Sequence, residues 1–523
     1  MQKGLLVLLL FLTTCLNAQD IDVQHYTFRL ELSDSGSAIR GNATVEFKAL
    51  HNLTSVTLDL TGRNGATGME VTGIYQAERN DKRLSFSNVN DQLIISLADT
   101  IKKGATEKLT IAYWGLPDDG LIIAKNKFGE RTFFADNWPN RAHHWIPCVD
   151  RPDDKASFEF FVTAPSHYSV ISNGEKVEEK ELGRGRKLTH WKVNIALPTK
   201  VMVIGVARFA VKTFDDSPPN LPVSAWVYPQ DSTKGFYDYA LATEILRFFS
   251  GYIAPFPYNK LANVQSTTIF GGMENASCIF YDEHSVTGNR DSEDLLAHEI
   301  AHQWFGDMAS EKSFAHLWLS EGFATYFTDL YFEKKYGQEA VVARLKKERG
   351  EAVEFARHSA SPVVDSTANL MSLLNANSYQ KGAWVLHMLR NEVGDSLFQQ
   401  IIRSYYQQYK GGNADTRDFE AVAEKVSGKD LSSFFAQWLY RPGIPQLAVT
   451  KYNVRGALVV QVTQKQKALY TFPIEILVEG ENGKKQRYRE LVATAKSSFQ
   501  YRPGFAVKKV TIDPDCKLLY AAY

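Results

Sequence analysis

The chain has 523 residues, too many for one hydrophobic core, and roughly two to four domains are expected. At 44% hydrophobic and 23% charged, its composition is that of a globular protein and excludes a disordered or fibrous chain. Lys plus Arg equals Asp plus Glu, so no global basic field exists to attract nucleic acid or an anionic membrane, and no nucleic-acid partner is expected.

The N-terminus reads as a targeting segment. Lys3 supplies a short positive region, and Gly4 to Leu12 is a nine-residue apolar run, too short to span a bilayer. Small and polar residues follow from Thr13 to Ala18, and residues 1–18 are expected to be a signal peptide, which implies a secreted or periplasmic protein. Cys15, after Thr13-Thr14, offers a lipoprotein anchor as the alternative, although Thr14 stands where such sites prefer a smaller residue. No later stretch is apolar and long enough for a membrane helix, so no stable membrane insertion is expected after cleavage. Beyond the leader lie Cys148, Cys278 and Cys516, an odd set with no CxxC, which reads as buried free thiols.

From residue 19 to 221 the pattern is β. Tyr26, Phe28, Leu30 and Leu32 alternate with polar residues, as do Val45, Phe47 and Ala49, and then Val56, Leu58 and Leu60. Turn-forming residues at 33–36 and 62–68 separate these runs. The Asp215-Asp216-Ser217-Pro218-Pro219-Asn220 segment reads as the linker that closes this domain. From 222 to 444 the period becomes helical, with Tyr239, Ala240, Ile245, Leu246 and Phe249 on one face, and with Gly337 as a helix stop after Glu333, Lys334 and Lys335. Arg441-Pro442-Gly443-Ile444-Pro445 breaks the chain, and alternation returns in 445–523, at Leu458, Val460 and Val462 and again at Ile474, Ile476 and Val478 before the turn Glu481-Asn482-Gly483.

The helical region carries His298-Glu299-Ile300-Ala301-His302. Positions i and i+4 of a helix share a face, so both imidazoles can reach one ion. A catalytic zinc takes three protein ligands and keeps one position open. The best third ligand is Glu321, in the apolar frame Leu317-Trp318-Leu319-Ser320-Glu321-Gly322-Phe323-Ala324, with His316 as the competitor and Asp307 and Glu311 as the other acids nearby.

With its flanks, HEIAHQWFGD followed by LWLSEGFATYF, the segment resembles the gluzincin metallopeptidases of the M1 aminopeptidase family, which also includes leukotriene A4 hydrolase. Two further segments carry the resemblance: Gly271-Gly272-Met273-Glu274-Asn275, like the family's exopeptidase segment, and Tyr379-Gln380-Lys381-Gly382-Ala383. It implies a multidomain α+β chain: an N-terminal saddle-like β-sheet domain, a thermolysin-like and mainly helical catalytic domain, and a small C-terminal β-sandwich. Many members add a large helical C-terminal domain, and a three-domain form is expected here. The implied activity is zinc-dependent removal of N-terminal residues from peptides with a free N-terminus, using one Zn²⁺ per chain.

The same resemblance implies the site. His298, His302 and Glu321 hold zinc; Glu299 is the general base; Tyr379 donates to the oxyanion. Glu274 binds the substrate's α-amine, with Gly271, Gly272, Met273 and Asn275 lining the substrate. The family's N-terminal domain usually adds a Gln or Glu about ten residues before a Pro-Cys; here that count from Pro147-Cys148 reaches Asp136, Asn137 and Trp138, and Asp136 is expected to fill the role. Asp307 stands where the family commonly has Asn. Two alternatives are an epoxide hydrolase like leukotriene A4 hydrolase and a catalytically dead peptide-binding homologue.

Overall fold

A computed structural model describes residues 20–76 and 82–523. The leader at residues 1–18, its cleavage point and Cys15 lie outside the described residues.

The first domain is built on an eight-stranded sheet. Its centre is Ile21–Glu31, which pairs antiparallel with Ile39–Ala49 and parallel with Lys155–Pro165. The alternation in the sequence becomes a buried face: Tyr26, Phe28 and Leu30 are all at most 1% exposed, as are Val45 and Phe47 on the neighbouring strand. A three-stranded sheet (Leu53–Asp59, Gln92–Ile101, Phe86–Val89) and a four-stranded one (Ser169–Ser172, Ile204–Ala207, Arg131–Ala135, Leu121–Lys125) complete the domain. Of these strands, Arg131–Ala135 leads directly into Asp136 and Trp138.

The second domain holds a five-stranded sheet in the order Ala210–Thr213, Val223–Val227, Leu261–Ser266, Cys278–Asp282, Gly272–Met273. Here the structure departs from the sequence reading. Ala210–Thr213 pairs antiparallel with Val223–Val227, and the Phe214 amide bonds the Val223 carbonyl at 2.9 Å. The Asp215–Asn220 segment is therefore a hairpin loop inside this sheet, and the chain has already entered the second domain before reaching it. Helices cover the sheet: α1 (Leu241–Tyr252), α2 (Glu293–His302), α3 (Trp318–Tyr336), α4 (Gln338–His358) and α5 (Gly382–Val393). Ile245, Leu246 and Phe249 of α1 join Val223, Ala225 and Ile279 of the sheet and Leu296 and Ile300 of α2 in one buried apolar cluster. Gly337, at φ +88°, ends α3 as the sequence indicates.

The third domain packs a four-stranded sheet (Lys496–Tyr501, Ala457–Gln464, Gln446–Val454, Ala521–Ala522) on a three-stranded one (Lys485–Val492, Phe472–Gly480, Val507–Ile512), around Leu458, Val460, Ile476, Val478, Tyr501 and Val510. The three free cysteines are buried. Among the described residues, no helix is long and apolar enough to cross a membrane.

Candidate metal centre and substrate cavity

Helix α2 carries Glu293 and Asp294 in its first turn, where the helix dipole favours acids, and buries Leu296, Ile300 and Ala301 on its inner side. His298 and His302 therefore emerge on a shared face, directed at α3. Glu321, in the first turn of α3, meets them. His298 Nε2 and His302 Nε2 lie 3.2 and 3.3 Å from Glu321 Oε2 and 3.1 Å from each other. These three residues form the one cluster with metal-ligand spacing among the described residues.

The donor set fits a zinc ion. A tetrahedral ion with bonds of roughly 2.0–2.1 Å separates its ligand atoms by about 3.3 Å, the spacing seen here. The support behind the ligands fits as well. His302 Nδ1 lies 3.1 Å from the Phe305 carbonyl and 3.0 Å from Ser320 Oγ. Donation of the Nδ1 proton leaves the Nε2 lone pair facing the cluster. Burial opposes ionisation of Glu321, but His302 and His298 outweigh it and hold this carboxyl well below its ordinary range. His316 is not a member: its Nδ1 sits 2.9 Å from Thr416 Oγ1. Glu311 is paired with Lys200 at 2.6 Å, also away from the cluster.

A cavity of about 430 Å³ opens over the three ligands. Gly271, Gly272, Met273 and Glu274 form one wall, on the edge strand of the five-stranded sheet, where Gly272 and Met273 pair with Tyr281 and Phe280. Gln303, just past α2, donates to the Glu274 carbonyl at 2.6 Å and accepts from the Ser277 amide at 2.7 Å, fixing the strand against the metal helix. The Glu274 carboxylate faces the cavity, and its Oε1 is buried with no hydrogen-bond partner among the described residues. Glu299 lines the cavity too, and a Cβ at Gly272 would overlap its carboxylate. Burial raises the Glu299 carboxyl well above its usual range; His302 opposes this, while Glu274 and Glu321 reinforce it.

Tyr379 reaches the site through a π-helical turn, Asn377–Lys381. Its ring stacks on the His298 imidazole at 5.9 Å and 14°. The turn comes this close because Gly322 of α3 and Gly382 of α5 meet backbone to backbone: a Cβ on Gly322 would sit 2.8 Å from the Gly382 carbonyl carbon. Lys381 holds the turn from behind, donating to the Gly443 and Arg441 carbonyls at 2.8 and 3.3 Å. Burial, with Glu321, Glu274 and Glu299 adding to it, pushes the Tyr379 phenol well above its ordinary value, so it stays a donor.

Two expected substrate contacts are corrected. Asp136 does not line the cavity. It is fully buried, with Oδ1 2.5 Å from Arg141 Nη2 and Oδ2 3.2 Å from the Ile269 amide, so its carboxylate ties the loop before Gly271 to the first domain. Trp138, two residues on, lines the cavity instead. Asn275 is also fully buried and off the cavity; its carbonyl accepts the Cys278 amide at 2.9 Å and turns the chain into the next strand. Ser320 and Gln303 were not singled out from the sequence, although they adjoin the ligands Glu321 and His302 in the chain; Trp138 was reached by the same count as Asp136 but was given no role. At Asp307, burial and then Glu274 raise the carboxyl well above its ordinary range, favouring a neutral acid where the resembling family commonly has a neutral amide.

Comparison with known proteins agrees along the chain. Residues 22–201 match the family description "Peptidase M1 N-terminal domain" and residues 237–438 match "Peptidase family M1 domain". A "Probable aminopeptidase 2" of Sulfurisphaera tokodaii is 27% identical over 402 residues, 73% of this chain and 50% of the relative. A "Leucyl aminopeptidase" of Saccharolobus solfataricus is 25% identical over 490 residues, 88% of this chain and 59% of the relative. The chain thus spans about half the length of the curated relatives it matches. In fold it resembles Legionella pneumophila aminopeptidase A, solved in complex with aspartic acid, with a TM-score of 0.83 at 18% identity over 97% of this chain and 60% of that one.

Proposed function

Because the chain belongs to peptidase family M1, we propose that it is a zinc-dependent aminopeptidase that hydrolyses the first peptide bond of peptides with a free N-terminus. The observation that carries this reading is the pairing of two features in one cavity: three converging zinc-type donors, and a carboxylate oxygen of Glu274 with no partner among the described residues. Zinc bound there supplies Lewis acidity for amide hydrolysis.

The chain's own residues supply the rest. Glu274 takes the α-ammonium group as a charge-assisted hydrogen-bond partner, which an internal peptide segment cannot offer. The edge strand at Gly272–Met273 lets the substrate backbone approach closely, since position 272 carries no side chain. Glu299, buried and with raised proton affinity, accepts the proton of the attacking water and delivers it to the leaving amine. The Tyr379 hydroxyl, kept protonated, donates to the oxygen that gains charge as the carbonyl becomes tetrahedral. The intact set argues against a dead homologue, and the free carboxylate for an ammonium favours peptide over epoxide chemistry.

The leader pattern at residues 1–18 supports export, to the periplasm or out of the cell, as part of this proposal. Cell fractionation with N-terminal sequencing of the mature chain tests it. The activity is tested by zinc content together with turnover of aminoacyl anilides and of their N-acetylated controls; a zinc-loaded chain inert toward all free-amine substrates overturns the reading.

A further inference from the structure

The cavity has two walls of different chemistry. One is charged: Asp294 from the first turn of α2, with Arg344, Lys347, Glu348 and Glu351 from α4. The other is apolar: Trp138, Phe270, Met273 and Leu374. Trp138 is the one lining residue that comes from the first domain.

Its indole packs between two rings, with Nε1 buried and without a hydrogen-bond partner among the described residues. Trp138 is 3% exposed, and it meets the Phe270 ring edge-on at 6.1 Å and the Phe314 ring at 5.9 Å. It belongs to the same buried cluster as Met273, Phe314 and Leu373, against which Phe270 and Leu374 pack. Arg141 clamps the Trp138 backbone, with Nε 2.7 Å from its carbonyl. The rest of that guanidinium is committed, Nη1 to Asp119 at 2.8 Å and Nη2 to Asp136 at 2.5 Å. Arg141 lies over the Phe270 ring at 5.6 Å, yet it has no free arm to offer a substrate carboxylate.

We propose that Trp138 is a specificity-determining residue that makes this wall an aromatic subsite for the first side chain of the substrate, selecting peptides that begin with a large apolar or aromatic residue and rejecting those that begin with an acid. The proposal rests on the aminopeptidase reading and deepens it. With the α-amine on Glu274, the first side chain leaves the backbone beside Met273, the residue immediately before it in the chain. There it meets Trp138 and Phe270, and burial against them removes apolar surface from water. An acidic side chain is desolvated against these rings and faces the carboxylate of Glu274, while the cations of the charged wall already have acidic neighbours, Arg344 pairing with Asp329 at 2.7 Å and Lys347 lying 3.9 Å from Glu351. The rings are packed in place, so the subsite is preformed.

Matched dipeptide anilides starting with Leu, Phe, Met, Ala or Glu test this with the zinc-loaded full chain. Leu and Phe should exceed Ala by roughly 10- to 200-fold in kcat/KM, the range a hydrophobic pocket discriminates, and Glu should be the poorest. Trp138→Gln and Trp138→Phe should compress the Leu-to-Ala ratio, Gln more than Phe, with zinc content unchanged. If neither variant folds, competitive inhibition of the wild type by free leucine, phenylalanine, alanine and glutamate reads the same ranking without a substitution. A flat wild-type ranking among turned-over substrates overturns the subsite and leaves the aminopeptidase standing, as does an unchanged ratio in both folded variants. Absence of turnover for every free-amine substrate overturns the aminopeptidase reading instead, and calorimetric binding of the same free amino acids then still decides whether the aromatic wall selects.

Discussion

Gly272 lies directly against Glu299, so close that a side-chain carbon at position 272 would overlap the Glu299 carboxylate, Oε1 first. Under the proposed function, the segment that would recognise the substrate and the group that would move the proton are thus in contact, and the glycine sets the position of the proposed base. Gly272→Ala should keep zinc yet lower kcat by roughly 100-fold, the usual effect of about 1 Å of misplacement. Glu299→Gln, which removes the base and none of the ligands, should keep zinc and lose roughly 10²–10⁴ in turnover. Zinc analysis beside steady-state kinetics checks both, and an active Glu299→Gln enzyme would refute the assigned proton transfer.

Metal removal should abolish activity, and one equivalent of zinc should restore it. His298→Ala and Glu321→Ala each delete one of the three converging donors and should fail to retain zinc after dialysis. Ser320→Ala acts at one remove, loosening His302 Nδ1 on the side away from the metal. It should weaken zinc affinity by about 10- to 100-fold without abolishing binding. A zinc titration competed by a chelator orders the three variants, and full zinc retention in Glu321→Ala would remove it from the ligand set.

Tyr379→Phe should lower kcat by roughly 10²–10³ with little change in KM, because the phenol's partner carries its charge only along the reaction path. Gly322→Ala should imitate it in part, since a methyl there pushes on the Gly382 backbone that sets the π-helical turn. A raised KM with kcat intact in Tyr379→Phe would make the tyrosine a ground-state contact.

His387 predicts a pH dependence of stability. It is buried between the Tyr326 hydroxyl, 3.2 Å from Nδ1, and the Cys516 carbonyl, 3.0 Å from Nε2, and so joins α5 to the C-terminal segment. Burial lowers its pKa from 6.5 to about 4. Between those values the unfolded chain binds a proton that the folded chain excludes. This contribution is therefore intact above about pH 6.5 and declines toward pH 4, by about 1.4 kcal/mol per unit at most. Melting temperatures between pH 4 and 8 should fall more steeply on the acid side for the wild type than for His387→Gln; parallel curves would show that His387 does not titrate on unfolding.

Much of this is written locally in the chain. Tyr26, Phe28 and Leu30 announce a half-buried strand because side chains alternate with period two, and His298 and His302 announce a shared helix face because four residues nearly close a turn. What stayed hidden depends on contacts remote in sequence. Asp136 and Trp138 are both plausible neighbours of a substrate until Asn137 is seen bonding the Thr199 and Met202 carbonyls and Arg141 is seen taking the Asp136 carboxylate. Those bonds turn the acid inward and the indole toward the cavity. The Asp215–Asn220 loop misleads for a related reason: its composition is that of a linker, and the four-residue strand before it is too short to reveal its pairing.

Under the proposed function, the contact that would make this cavity an exopeptidase site is an ion pair between Glu274 and the substrate's α-ammonium group. Glu274 Oε1 is buried and unpartnered among the described residues, while its backbone is fixed by Gln303, so the carboxylate is preorganised for a cation. A free α-ammonium satisfies it. An acetylated N-terminus leaves it desolvated and unpaired, a loss of typically about 2–5 kcal/mol, or roughly 30- to 5000-fold in kcat/KM. Glu274→Ala should therefore lower kcat/KM sharply for free N-termini and change it little for acetylated ones, which narrows the gap from one side only. Asp136→Asn separates the two carboxylates: since Asp136 faces Arg141 and the Ile269 amide, its loss should destabilise the fold while leaving the ratio of free to acetylated substrates near that of the wild type. Matched free and acetylated peptides, assayed on all three proteins at one zinc loading, decide the matter. Equal wild-type rates on both substrates would remove the exopeptidase reading, and an unchanged gap in Glu274→Ala would assign the amine to a different acceptor.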